Sequence, residues 1–450
     1  GSARNLTVPL DGNWSPRGGL AVWRSCTEIA FDRLAYANLT LNGRRLTLCP
    51  AQGGAILRAD ARGVRMAAGA PSLKLDGRLG TTPIRLSSGA VGFAVPGALT
   101  VRAVDVALGP VSDPSRFRVS NLTARIGAAI AGKFSGSDVL LAAVPLDLHD
   151  ATGDWRYANG RLSITGGAFR LEDRRGGDLF QPMVARDATL TLENNRIVAN
   201  ALMREPKSDR EVGSVAILHD LGNGVGHADL AVPSLHFDKG MQPDTLTNLA
   251  LGVIANAEGT VTGTGRIDWT ASEVTSSGRF STDALDFAAA FGPAKGVSGT
   301  VVFTDLLGLV TAPDQRLKIA SINPGIEAND GELSFELRPE SVLAINGAHW
   351  PFLDGTLTLD PTQMVLGASE TRRFTLRIKG LDAAKFIARM ELGNIAASGA
   401  FDGELPLVFD EQGHRLTPSH AQKGARRYRY YIDQVAAEDE GATAALRVPA

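Results

Sequence analysis

From Leu39 almost to Phe409 the chain repeats one phrase: a few residues alternating apolar and polar, a Gly-centred turn, then another alternating stretch. Leu333, Phe335 and Leu337 alternate with Glu332, Ser334 and Glu336, and Phe374, Leu376 and Ile378 alternate with Arg373, Thr375 and Arg377. Successive side chains on a strand point to opposite faces, so each phrase reads as a strand with one apolar and one wet face. Further phrases run through Leu73 and Leu75, Leu162 and Ile164, Leu190 and Leu192, Leu357 and Leu359, and Leu405 with Leu407 and Phe409. Asn159-Gly160, Asn194-Asn195, Asn329-Asp330-Gly331 and Asn346-Gly347 have the chemistry of turns between them. The spacing is irregular, which excludes a fixed-period solenoid. Such a chain is all-β, and what matters is what its apolar faces are buried against.

Composition narrows the function classes. A hydrophobic content of 44% in 450 residues is ample for a core and excludes disorder. With 46 basic against 48 acidic residues the formal charge is -2, which argues against a nucleic-acid partner, since that needs a clustered positive excess. The basic cluster Lys423, Arg426, Arg427 and Arg429 sits in a C-terminal tail.

No stretch reaches the roughly 18 uninterrupted apolar residues of a membrane span; the longest candidate, 91–108, is broken by Pro96, Arg102 and Asp105. The chain opens Gly1-Ser2-Ala3, so the expectation is the soluble part of a longer protein, with any signal or anchor upstream. Cys26 and Cys49 are the two cysteines, and they flank an expected hairpin that turns at Asn42-Gly43. They are either a disulfide, which would add about 3 kcal/mol for a loop of that size, or two buried thiols. A disulfide would favour an oxidising compartment.

Helical signals are few. Residues 283–291 form an apolar stretch ended by Gly292-Pro293, and 381–390 places Ala383, Phe386, Ile387 and Met390 on one helical face; both are expected to be short helices that cover a sheet edge. The boundary that the sequence suggests lies near 241–248, a Pro-containing connection before a Gly- and Thr-rich stretch.

Catalytic templates mostly fail. The best constellation is His219-Asp220, His227 with Asp229, and His236 with Asp238: residues two apart share a strand face, so each of the last two pairs could meet a metal ion. Alternation makes polar residues two apart common on any wet face, however, and that reading accounts for them without a metal. Gly263-Thr264-Gly265 lacks the third glycine of a dinucleotide fingerprint and reads as a turn before the strand of Ile267 and Trp269. There is no phosphate loop, no His-Glu-x-x-His helix and no Gly-x-Ser-x-Gly elbow. The reading is of a non-enzyme without cofactor or metal.

Two stretches carry a resemblance. One runs from Gly299-Thr300-Val301-Val302-Phe303-Thr304-Asp305 through Ser321-Ile322-Asn323-Pro324-Gly325-Ile326 to Asp330-Gly331. The other runs from Asn346-Gly347 and Pro351-Phe352 through Gly380-Leu381-Asp382 to Ala397-Ser398-Gly399-Ala400-Phe401-Asp402-Gly403-Glu404-Leu405-Pro406-Leu407. Over residues 296–410 the chain resembles the YdbH family of Gram-negative envelope proteins, relatives of the TamB and AsmA-like group. The resemblance implies an elongated, twisted β-sheet curled into an open apolar groove with a few short covering helices. It also implies a periplasmic location, an upstream inner-membrane anchor, an outer-membrane or periplasmic partner, and passive transfer of phospholipid between the two membranes. An older family label speaks of dicarboxylate transport, for which no placed Arg clamp is found.

On this reading residues 1–240 are the N-terminal β-rich part of the groove, 241–410 the YdbH-like C-terminal part, and 411–450 an atypical tail. Leu333, Phe335, Leu337, Leu357, Leu359, Phe374, Leu376, Ile378, Leu405 and Leu407 are the expected groove lining. The tail, with Arg426-Arg427-Tyr428-Arg429-Tyr430-Tyr431, is similar to the C-terminal region of large serine recombinases, which points to a fused or truncated reading frame, with a native tail of separate role as the alternative. The alternation alone would equally be written by a β-sandwich that buries one face of each sheet against the other, a structural or adhesive protein with a dry core. A secreted enzyme using His227 or His236 is a third reading.

Overall fold

The structure is a computed structural model. It describes residues 1–410 apart from 37, 143, 175–178, 252, 271, 290–291, 324–325, 368–371 and 391–396, and in the tail the backbone of 413–416, 419–423, 426–433 and 445–447. The rest of the tail lies outside the described residues, as do its side chains. Every strand pair with a described register is antiparallel, and the described helices are the α-helix Ala383–Arg389 and two single 3-10 turns. Two units form: Gly1–Ala231 with Arg266–Thr275, and Val232–Gly265 with Ser276–Ala450. They are called unit 1 and unit 2.

In unit 1 the sheet forks. The strand Gly97–Leu108 pairs on one side with Ser115–Ile126; on the other, Thr82–Ser88 covers its C-terminal half and Val91–Val95 its N-terminal half. One arm continues through Leu73–Leu79, Leu39–Leu48 and Thr27–Tyr36 to Ser2–Arg4. The second continues through Gly63–Ala70, Leu57–Asp60 and Gly19–Val22 to Gly12–Ser15. Thr27 pairs with Leu48, so Cys26 and Cys49 face each other across the ladder, and they are joined as a disulfide. The hairpin they flank closes with Tyr36 paired to Leu39, not at Asn42-Gly43, which lies inside the strand Leu39–Leu48; Gly43 lets the Asp32 backbone approach to 3.0 Å of a Cβ position.

From Gly97 onward unit 1 is a run of hairpins, Ser115–Ile126, Ile130–Leu140, Leu146–Ala158, Arg161–Asp173, Met183–Glu193, Arg196–Arg204, Glu211–Asp220 and the start of Gly226–Phe237. A file of irregularities crosses them. Ala103, Gly136, Asp150, Gly166 and Asp187 all have positive φ, and the pairing shifts register beside the last four of them, at Phe134/Ser137, His149/Thr152, Ile164/Gly167 and Arg186/Thr189. A bulge bends its strand and adds right-handed twist, and bulges in line across a sheet curve it. The burial pattern shows the second effect. Ser120-Asn121, Ser135-Gly136, Thr165-Gly166 and Arg186-Asp187 are consecutive exposed pairs, so the apolar residues on either side of the file return to the same face.

Within unit 1 the curl is strong. Thr27–Tyr36 and Leu146–Ala158 are seven ladders apart. A flat sheet would separate them by about 34 Å, yet the Tyr36 and Tyr157 hydroxyls are 3.3 Å apart. At the same rim the Thr81 hydroxyl donates to the Gly222 carbonyl over 3.4 Å. These are contacts of side chain and turn without a ladder.

Unit 2 wraps its apolar face into a packed core. Leu317, Leu333, Ala348, Leu359, Leu376 and Leu405 are successive cross-strand neighbours through five ladders. Beside them Trp350, Phe352, Leu357, Phe374 and Leu381 are buried. The indole of Trp350 occupies the place where a side chain on Gly331 would stand. Ala383–Arg389 is the expected helix over 381–390: Asp382 caps it by accepting from the Lys385 N–H (2.9 Å), and Phe386 meets Phe401 edge-on at 5.5 Å. Across both units the opposite, wet face carries paired charges such as Lys133 with Asp154 (2.8 Å) and Arg316 with Glu332 (2.7 Å).

Several local expectations are overturned. Residues 283–289 belong to the strand Val274–Ala289, because Leu285 and Phe287 pair with Val297 and Ala294 and pack on the core, so tertiary contact overrides the helical spacing. Gly263-Thr264-Gly265 lies within the strand Ala255–Trp269, where Gly263 makes room for the Phe280 ring. Asn329-Asp330-Gly331 and Asn346-Gly347 are inside strands; Asp330 and Gly347 have positive φ there. Asn159-Gly160 and Asn194-Asn195 do form hairpin turns.

The Gly331 contact makes a test. Gly331→Val forces a side chain into the Trp350 indole, and overpacking of this kind costs about 2 kcal/mol. The thermal midpoint of unit 2 should fall by several degrees; an unchanged midpoint would contradict this packing.

Candidate functional site

The inner face of unit 1 is ruled by apolar rows that run from strand to strand. Leu99, Ala124, Gly132, Trp155, Ile164, Leu190, Ala199, Ile217 and Ala228 are consecutive cross-strand partners. Eight strand spacings make this row about 38 Å long on a flat sheet. A second row on the same face joins Ile126, Ile130, Tyr157, Leu162, Leu192, Ile197 and His219. Beyond the bulges a third joins Leu75, Leu86, Val106, Phe117, Val139, Leu148, Leu171 and Met183. The large members of these rows are half-buried rather than buried. Their side chains are shielded by one another and by the curl, and the face remains accessible.

Polar groups on this face are few. Trp155 has a buried Nε1–H with no acceptor among the described residues, a lone donor within an apolar row. His219 closes the second row: its Nδ1 accepts from Trp269 Nε1–H over 3.1 Å, and the indole lies over Gly226, 2.6 Å from the place of a Cβ. Burial pushes the imidazole below its ordinary value, opposed by the neighbouring Asp220 carboxylate and by a hydrogen bond to the Val225 backbone. Tyr157 stands at the rim with Tyr36, and that hydrogen bond raises its phenol above the usual value.

The ten residues expected to line a groove lie on one face of unit 2, but mostly inside its core. Phe335, Leu357, Leu359, Phe374 and Leu376 are buried, and Leu333, Ile378, Leu405 and Leu407 pack partly buried against them. Leu337 is half-buried opposite Leu343. Among the described residues the more accessible apolar surface is the one in unit 1, where Ile164 and Leu190 were legible only as strand residues and Trp155 and Ile217 were not singled out. Their common row depends on register, which alternation within one strand does not reveal.

The histidines do not converge on a metal. His219 faces inward against Trp269; His227 stands 3.6 Å from Asp229, which also pairs with Arg266; His236 is 3.1 Å from the Thr260 hydroxyl. Among the described residues no group of His, Cys, Asp or Glu could hold a metal ion. A hollow of about 520 Å³ on the wet face includes Arg186, Arg204 and Asp209, whose charges are spent in pairs: Arg186 with Asp209, and Arg204 with Glu211. No described helix is long and apolar enough to cross a membrane.

Two outcomes follow from these environments. Leu376→Glu places a carboxylate in a packed core without a partner and should cost more than about 3 kcal/mol, read as loss of the unit 2 transition in thermal unfolding; retention of that transition would show the face to be wet. His219 is the other case. Its folded pKa is lowered, so its contribution to stability is present above about pH 6.5 and is lost as pH falls below it. The thermal midpoint should therefore drop between about pH 7.5 and about pH 5.5, and His219→Gln, which keeps an acceptor but does not titrate, should flatten that drop. Equal slopes would contradict the assignment.

No individually curated protein matches the chain. A family model does, over residues 1–417, well beyond the 296–410 stretch that carries the sequence resemblance, and its description is YdbH-like, intermembrane phospholipid transport protein YdbH. With a curled, open, apolar-faced β-sheet matched along nearly all of its length, the chain belongs to the YdbH-like family of intermembrane phospholipid transport proteins.

Proposed function

We propose that the chain carries phospholipid between the inner and outer membranes by passive sliding, with the acyl chains on the inner face of unit 1 and the headgroup wet at the open edge. The observation that supports this most is the set of half-buried apolar rows, the longest through nine strands. Each exposed methylene costs about 0.8 kcal/mol, so two bare acyl tails would need on the order of 20 kcal/mol to cross water. One leaflet contributes about 15 Å of hydrocarbon, so a row of about 38 Å exceeds one tail's reach. A lipid shifting from strand to strand then exchanges one set of apolar contacts for another like it. Such a path has no deep minimum and needs no catalytic group.

The location proposed is the periplasm, with an inner-membrane anchor upstream and a partner at the outer-membrane end. Residues 411–450, of which the family model reaches only as far as 417, are proposed to be an atypical tail, either a fused or truncated frame or a native tail of separate role. The dry-core alternative draws on a specific observation, the packed interior of unit 2 around Trp350, Leu357 and Phe374. It accounts for unit 2 and leaves the accessible face of unit 1 without a purpose.

Native mass spectrometry after gentle purification tests the proposal. Several phospholipids should co-purify per chain, and Ile164→Glu with Leu190→Glu should lower that number at least tenfold while both unfolding transitions persist. A wild-type chain that is empty and also refuses added fluorescent phospholipid would favour the dry-core reading.

A further inference from the structure

The inner face of unit 1 does not stop at the strands that bear its rows. Through the fork, Leu99 pairs with Phe93 and Phe93 with Ala68; two residues along, Val95 pairs with Met66, Met66 with Leu57 and Leu57 with Val22. Val22, at 5% exposure, is still interior. One rung nearer the hairpin tips, the same face carries Val64, Ala59, Leu20 and Trp14, again as consecutive partners. There the burial reverses. Trp14 is 69% exposed, Val64 64% and Leu20 38%. The apolar face of the groove thus runs out along the second arm into solvent.

The tips add charge. The turns at 16–18 and 61–62 lie side by side, because Leu20 pairs with Ala59 and a Cβ on Gly19 would touch Asp60. They hold Arg17 and Arg62, both exposed, and neither guanidinium has an ion-pair partner among the described residues. Residues 1–66 contain nine arginines against Asp11, Glu28, Asp32 and Asp60, a net charge of +5 in a chain whose total is -2. An exposed Trp and aliphatic row edged by free arginines is the chemistry of a bilayer interface, where apolar side chains enter the acyl boundary and cations meet phosphates.

We propose that this arm is the lip at which the groove meets a bilayer containing anionic phospholipid. Trp14, Leu20 and Val64 seat in the acyl boundary, Arg17 and Arg62 hold headgroup phosphates, and the same face leads a lipid inward to Phe93 and Leu99. The inference rests on the lipid-groove reading, and the two are separable by experiment.

The chain is floated with phosphatidylcholine vesicles, with and without phosphatidylglycerol, at low and physiological salt. Lipid loading from detergent micelles is measured in parallel. Binding is expected to vesicles with phosphatidylglycerol and to weaken with salt, and both Trp14→Ser and the double variant Arg17→Glu/Arg62→Glu should lower the partition coefficient tenfold or more. These positions are exposed, so folding is not at stake, and an unchanged unfolding profile verifies it. A chain that loads lipid from micelles yet ignores both vesicles, or binds them equally well in every variant, overturns the lip and leaves the groove standing. Binding lost in the variants, in a chain that never loads lipid, upholds the lip and overturns the groove.

Discussion

A single sheet with one apolar face cannot lie flat in water, and the rest of this structure follows from that. The α-helix among the described residues is seven residues long, too short to cover such a face. Curling is the remaining solution, since it turns the apolar side chains toward one another and leaves the ion-paired face outside. The file of bulges from Gly136 to Asp187 supplies the curvature in unit 1, and the Tyr36 to Tyr157 contact measures how far it goes. Because bulges bend strands without closing a ladder, the sheet curls and stays open.

The two units resolve the same constraint differently. Unit 2 fills its curl with large side chains. Trp350 over Gly331, Phe352, Phe374 and Met364 leave a core like that of any globular domain. Unit 1 lines its curl with aliphatic residues and a few aromatics, interleaved with Gly132, Ala124, Ala199 and Ala228, and the large members of its rows remain half-buried. Small residues in the row keep the face smooth, which suits a cargo that must move rather than lodge. His219 and Trp269 satisfy each other at the end of a row, so their polarity is not offered to that cargo.

Much of the fold was legible in single phrases: Leu333, Phe335 and Leu337 do share a face, and Asn159-Gly160 does turn a hairpin. What misled was the same chemistry in another setting. Asp330 and Gly347 adopt positive φ inside strands, where Asn, Asp and Gly build a bulge as readily as a turn. The inner face was harder to place. Alternation says that Ile164 and Leu376 each face something apolar, yet only register and curl decide that Leu376 is 5% exposed in a core while Ile164 stays accessible.

On the proposed function, acyl chains lie on the inner face of unit 1 and nowhere on its outer face. A photoreactive amino acid placed in turn at residues 162–165 and 189–192, followed by illumination in cells and analysis for attached phospholipid, tests it directly. Adducts are expected with a period of two, at Leu162, Ile164, Leu190 and Leu192, and none at Ser163, Thr165, Thr189 or Thr191. Adducts without that period, or none at the inward positions, would contradict it.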